Sequence, residues 1–289
     1  MNKRSKPYAI EETRSGVDWI SATLKKEEHG SDGWYALATN CVLTVHREGN
    51  TLENRSLLGF RGLKSGGCFA GENEHRYYCQ LSGEYADRFF EQIDRHQPHY
   101  SRIDLQVTVK YQNEQEDIAK AVYYDFVSAN TVLPEGRRRK GHLIVGSDGG
   151  DTVYLGAPSS RQRCRIYNKA KQSEREAYER CWRYEVVFRD ELAREWATMR
   201  RDKDSSVAWS CIETVGAWLE ERSVQVPFRY SGDVTVLPKL RTLPTDVERK
   251  LEWLKTQVRP TVEYLTELGF RSILLENLGI TLRPGDAEE

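Results

Sequence analysis

The chain has no stretch approaching the roughly 18 consecutive apolar residues of a membrane-spanning helix. Nor does an apolar core follow the basic residues of its first segment, MNKRSKPYAIEETRSG, as a secretory signal requires. An unexported, cytoplasmic protein with no membrane partner is the expectation. There is no CxxC pair and no Cys/His spacing suited to zinc. In a large unexported chain the six cysteines, Cys41, Cys68, Cys79, Cys164, Cys181 and Cys211, read as free buried thiols rather than disulfides. No P-loop or dinucleotide fingerprint follows a strand, and no nucleophile elbow surrounds a serine. Internal repeats and low-complexity tracts are absent. So is a charge excess: 43 Lys and Arg stand against 44 Asp and Glu, a formal net charge of -1. Taken as an average, that argues against a nucleic-acid partner.

What is present is material for a core. Hydrophobic residues make up 38% and aromatics 10% of 289 residues, too apolar for a disordered chain and enough for one large domain or two small ones. Strand patterns cover Val17 to Leu24, Ala36 to His46, Tyr77 to Leu81, Tyr100 to Tyr111, Arg163 to Lys169 and Trp182 to Phe188. His142 to Val145 and Thr152 to Leu155 flank Ser147-Asp148-Gly149-Gly150 as a hairpin. Glu53 to Ser82 is otherwise Gly-rich and reads as irregular. Helical spacing marks Ala86, Phe89, Phe90 and Ile93, then Glu116 to Ser128, Ser173 to Arg180 and a segment for which Asp190 offers a cap. From about Ser205 helices dominate: Val207 to Glu221, then a run opened by the capping box of Thr245 and Glu248. Gly269 is placed to end that run. The expected fold is α+β, a largely antiparallel sheet with flanking helices at 1–204, followed by a smaller helical region at 205–289.

Three strands carry ionisable groups where burial is wanted: Arg102-Ile103-Asp104, Arg165-Ile166-Tyr167-Asn168-Lys169 and Arg183-Tyr184-Glu185. Strand alternation puts Arg102 with Asp104, Arg165 with Tyr167 and Lys169, and Arg183 with Glu185, each set on one face. A buried charge is costly unless paired or ligated. Two readings follow. One is a wetted sheet face laced with ion pairs. The other is a phosphodiester-transfer site, in which two carboxylates hold a hard divalent cation and Tyr167 attacks phosphorus, its phenolate favoured by neighbouring cations.

At these segments the chain resembles the replication initiation factor family: rolling-circle initiators of small plasmids, replication proteins of filamentous phages and relaxases of some conjugative elements. The resemblance rests on Val17-Asp18-Trp19-Ile20-Ser21, Arg102-Ile103-Asp104-Leu105, Thr152-Val153-Tyr154-Leu155-Gly156 running into Arg165-Ile166-Tyr167-Asn168-Lys169, and Trp182-Arg183-Tyr184-Glu185, in that order. It implies an enzyme that nicks one DNA strand at an origin through Tyr167, stays on the 5′ phosphate and later rejoins the strand. It also implies magnesium or manganese at Asp104 and Glu185, with Lys169 and Arg183 against the scissile phosphate. Origin DNA with an exposed single strand, a second copy of the chain and a host helicase are the implied partners. Many members carry a further acidic pair beyond the Arg-Ile-Asp strand, where this chain has Thr108 and Val109. A third ligand must then come from elsewhere, or metal binding is weaker. If the pair is essential, the protein is a non-catalytic DNA-binding protein on the same fold.

Tyr154 is the rival nucleophile, but it lacks the Arg and Lys neighbours of Tyr167 in the sequence. His96 and His99 are split by Gln97-Pro98 and read as a surface pair rather than metal ligands. Arg137-Arg138-Arg139-Lys140 precedes the hairpin and, with Arg102, Arg163 and Arg165, supplies candidate phosphate contacts. From Arg137 to Arg183 twelve basic residues face five acidic ones, a local charge of +7. The near-zero total therefore sums opposed regions, and it leaves room for a localised DNA site.

Overall fold

The computed structural model describes residues 9–115, 117–129, 140–146, 150–173, 176–203, 205–231, 253–254 and 258–270. Strand β1 (Ile10–Lys25) leads into helix α1 (Ser31–Arg47), then β2 (Leu52–Leu57), β3 (Phe60–Ser65), β4 (Cys68–Glu72), β5 (Arg76–Ser82) and α2 (Glu84–Asp94). Next come β6 (His99–Tyr111), α3 (Ile118–Ala129), β7 (Gly141–Ile144), β8 (Thr152–Leu155) and β9 (Gln162–Asn168). A short α4 (Lys169–Gln172) and a 3-10 turn (Glu176–Tyr178) lead to β10 (Cys181–Arg189), α5 (Glu191–Asp202), α6 (Val207–Glu220) and α7 (Arg259–Glu267).

The strands form one sheet in the order β2-β3-β4-β5-β1-β6-β10-β9-β8-β7, with every neighbouring pair antiparallel. This is the α+β class expected. Alternation along the central strands sorts the side chains cleanly. Ile103, Leu105, Val107 and Val109 of β6 lie on the core face with Trp182, Tyr184, Val186 and Phe188 of β10 and Cys164 and Ile166 of β9, all buried. Helices α5 and α6 pack against β6 and β10, α6 reaches β1 as well, and α3 covers β7 and β8. Trp196 of α5 lies against Phe90 of α2, and Trp218 of α6 donates to Gln162 of β9. All six cysteines are free and buried, as expected.

Several local expectations change. Ala36 to His46 is helical: Trp34, Ala38, Cys41, Val42 and Val45 are buried at helical spacing, and that period outweighs the β-branched composition. The Gly-rich segment is a four-strand meander rather than a loop. Its first turn, Leu58-Gly59, has φ of 51° and 82°, the two positive values of a tight hairpin. Between Ser173 and Arg180 only the 3-10 turn forms among the described residues. Asp190 precedes α5 with φ of 52° and makes no side-chain cap. The Thr245–Glu248 capping box and Arg137, Arg138 and Arg139 lie outside the described residues.

The chain divides into two compact units, Met1–Lys239 and Leu240–Glu289. In the second, α7 begins at Arg259 with Pro260 in its first turn, and Gly269 (φ 82°) follows its end. No helix among the described residues is long and apolar enough to cross a membrane.

Candidate active site

The face of the sheet opposite the core carries the ionisable residues, and the strand register places them in rows. Arg14, Thr108, Arg183, Tyr167 and Thr152 are successive partners across β1, β6, β10, β9 and β8. One step along, Gly16, Gln106, Glu185, Arg165 and Tyr154 follow; the next row holds Trp19, Asp104, Val187 and Arg163. The three strands singled out by sequence are therefore neighbours, and Asp104, Glu185, Tyr167, Arg165 and Arg183 converge.

Asp18 joins them, and sequence reading did not select it as a site residue. Strict alternation sets Asp18 on the side of the buried Ile20 and Ala22. The ladder between β1 and β6 slips between Val17 and Trp19, which pair with the consecutive residues Leu105 and Asp104. Asp18 is the extra residue of that bulge, and a bulge re-aims its side chain. The Asp18 carboxylate accepts from Arg183 Nη1 at 2.6 Å and lies 3.8 Å from Arg165.

Each carboxylate is answered by an arginine. Arg102 grips Asp104 through two bonds, 2.7 and 2.5 Å, and Arg165 forms an ion pair with Glu185. Asp104 and Glu185 are fully buried. Burial raises both above the ordinary carboxylate value, Glu185 to about 8. Arg102 opposes this at Asp104 and Arg165 at Glu185, while the negative charges of Asp18 and Asp104 add to the rise at Glu185. Glu185 Oε1 meets Arg165 as an ion pair but has no hydrogen bond with acceptable geometry. Thr108, standing where an acidic residue was sought, accepts from Arg183 Nε at 3.0 Å and donates to Gln106 at 2.7 Å. Val109 is in the core.

Tyr167 is buried, at 5% exposure, and its hydroxyl donates to Glu185 Oε2 at 3.3 Å. Arg165 and Lys169 lie 5.5 and 5.7 Å from its ring centroid. The expectation that nearby cations would favour the phenolate is not met. Arg183 and Arg165 do pull the phenol down, but burial and the Glu185 charge win, and its pKa is raised. Burial, and then the charge of Arg183, push the Lys169 ammonium down. Tyr178 of the 3-10 turn closes one side, its ring 5.2 Å from Lys169 and 5.8 Å from Arg183.

Arg163 belongs to the same face but stacks on Tyr154, 4.1 Å from its ring centroid. Arg102 lies over Trp19 at 4.7 Å. Lys140 is exposed at the base of the β7–β8 hairpin, outside the cluster. His99 contacts Arg194 and is likewise outside it. Among the described residues no group of three or more His, Cys, Asp or Glu is gathered closely enough to hold a metal. A hard cation can be held by one or two carboxylates with water and phosphate oxygens completing its shell, but here both Asp104 oxygens face Arg102, and those of Glu185 face Arg165 and Tyr167.

No protein-family model matches the chain, and no curated protein matches it by sequence. Among solved structures it is similar to the rolling circle replication initiator protein from Geobacillus stearothermophilus. The TM-score is 0.53 at 18% sequence identity, over 80% of this chain and 93% of that chain. At that identity the likeness is one of fold.

Proposed function

We propose that the protein initiates rolling-circle replication by nicking and rejoining one strand of origin DNA through a phosphotyrosine at Tyr167. The observation that carries this reading is the Tyr167 hydroxyl held on the buried Glu185 carboxylate between Arg165, Arg183 and Lys169. The fold shared with a solved initiator supports the replication role. A raised phenol pKa calls for a base at the moment of attack, and Glu185, with its raised proton affinity, is the group in contact.

In the proposed cycle a phosphodiester enters beside Tyr167 and takes contacts from Arg165 and Arg183. Tyr167 Oη bonds to phosphorus and its proton passes to Glu185. The bond to the 3′ oxygen breaks, and that oxygen takes a proton from Lys169, whose ammonium is already disfavoured by burial and Arg183. The product is a 5′ phosphotyrosine and a free 3′ hydroxyl that primes synthesis; reversal rejoins the strand. Asp104 and Glu185 are the residues to hold magnesium or manganese, which when bound supplies Lewis-acid polarisation of a phosphate oxygen.

The test is relaxation of supercoiled plasmid carrying the cognate origin, with magnesium or manganese present. Wild type is expected to give nicked circles and a covalent protein–DNA adduct, and Tyr167→Phe neither. The second reading, a non-catalytic DNA-binding protein on the same fold, draws on the burial of Tyr167 and the pairing of its cations. Equal relaxation by wild type and Tyr167→Phe, or no adduct from either, would establish that Tyr167 is not the nucleophile.

A further inference from the structure

Beside Tyr167 lies a recess of about 180 Å³ lined by Tyr154, Arg165, Tyr167, Asn168, Lys171 and Gln172. It is too small for a whole drug-sized ligand, whose pockets run from roughly 300 to 1,000 Å³. It suits one unit of a polymer whose backbone continues outside. Three observations give the recess a chemical character. Tyr154 and Arg165 are register partners on β8 and β9, so the ring stands one row from Tyr167 on the same face. One side of that ring is covered by the Arg163 guanidinium at 4.1 Å, and Arg163 is not part of the recess lining, which leaves another part of the ring for the recess. Arg163 Nε is buried without a hydrogen-bond partner, and among the described residues Arg163 forms no ion pair with a carboxylate.

We infer that this recess is a nucleobase subsite, in which Tyr154, backed by Arg163, stacks the base of the nucleotide adjoining the scissile phosphate while Lys171 faces the backbone. The inference rests on the strand-cleavage reading and deepens it by naming an unpaired nucleotide as what occupies the space next to Tyr167. It also changes two earlier assignments. Tyr154, the rival nucleophile of the sequence, becomes the positioning platform. Arg163, a candidate phosphate contact, acts through the ring. Base–aromatic stacking tolerates any sequence because every base presents a π face, and an aromatic platform backed by a cation is a stronger one.

The experiment measures equilibrium binding of the full chain to a single-stranded oligo-dT and to an abasic strand of equal length, at one salt concentration and then over a salt series. Wild type is expected to prefer the oligo-dT. Tyr154→Phe keeps that preference. Tyr154→Leu loses about 5- to 150-fold of it, the equivalent of one stacked base. Its salt dependence, set by phosphate contacts, stays unchanged. Urea melts of both variants separate loss of fold from loss of the platform. Iododeoxyuridine strands provide a second readout, since photocrosslinks should map to Tyr154. An undiminished base preference in Tyr154→Leu, an equal loss in Tyr154→Phe, or crosslinks that avoid β8 would overturn the subsite. A chain that stacks bases at Tyr154 yet never forms an adduct refutes the cleavage reading alone; a chain that cleaves but ignores the bases refutes the subsite alone.

Discussion

Replacing Arg165 by methionine isolates the electrostatics of the site. Glu185 is fully buried and Arg165 is its cation, so the variant leaves a carboxylate in the sheet with Asp18 and Asp104 close by and their charges opposing it. Coulomb's law gives about 4 kcal/mol for unit charges about 4 Å apart at an effective dielectric of about 20. Breaking a buried pair from one side typically costs about 3–5 kcal/mol. The Arg165 side chain is 32% exposed, so solvent already screens part of the pair, and about 2–4 kcal/mol is the expectation. The cost has an escape route that depends on pH. Burial has raised the proton affinity of Glu185, so without Arg165 it protonates instead of remaining charged. Arg165→Met should therefore cost less at pH 5 than at pH 8, and Glu185→Gln should recover most of the loss when added to it. Urea unfolding of the two single variants and the double, at both pH values, completes the cycle. A loss below about 0.5 kcal/mol, or one that neither acid nor Glu185→Gln relieves, would mean that the pair does not carry the charge balance of the face.

Other outcomes follow from the same contacts. Asp18→Asn should slow nicking without weakening DNA binding, because Asp18 orients Arg183 at 2.6 Å; parallel losses in both would argue against a positioning role. The pH dependence of stability has a definite sign. Glu185 has a folded pKa above its unfolded value of about 4.3, so the folded state holds the extra proton and stability falls as pH rises from the ordinary carboxylate range through that raised value. Glu185→Gln should show a shallower fall in urea midpoint across that window. Magnesium or manganese should raise the melting temperature of wild type but not of an Asp104→Asn, Glu185→Gln double variant, and an equal rise in both would place the ion elsewhere.

Much of the site was legible because strand alternation is a local rule. Arg102 with Asp104, Arg165 with Tyr167 and Arg183 with Glu185 needed only a period of two, and the sheet then set β6, β10 and β9 side by side. Asp18 was hidden because a bulge breaks that period, and nothing in Val17-Asp18-Trp19 marks where a ladder will slip. Helix α1 was misread for another reason. Val42, Thr44 and Val45 have strand composition, while the apolar stripe that makes them helical begins at Trp34, before the segment read as a strand. The stacking of Arg163 on Tyr154 depends on rows contributed by two strands and has no local signature at all.

The charge arithmetic also acquires a physical meaning. The segment from Arg137 to Arg183 carries +7, yet on the site face Asp18, Asp104 and Glu185 already engage Arg183, Arg102 and Arg165. A phosphate arriving there must compete with these carboxylates for the three arginines. Such a site binds an isolated phosphate weakly and gains from a strand held by further contacts. Inorganic phosphate should therefore be a poor competitor of single-stranded DNA. Weakening a carboxylate's hold, as Asp18→Asn does on Arg183, should raise affinity for phosphate even as it lowers the rate of cleavage. Opposite movements of affinity and rate in that one variant would separate an arginine held for catalysis from one held for the fold.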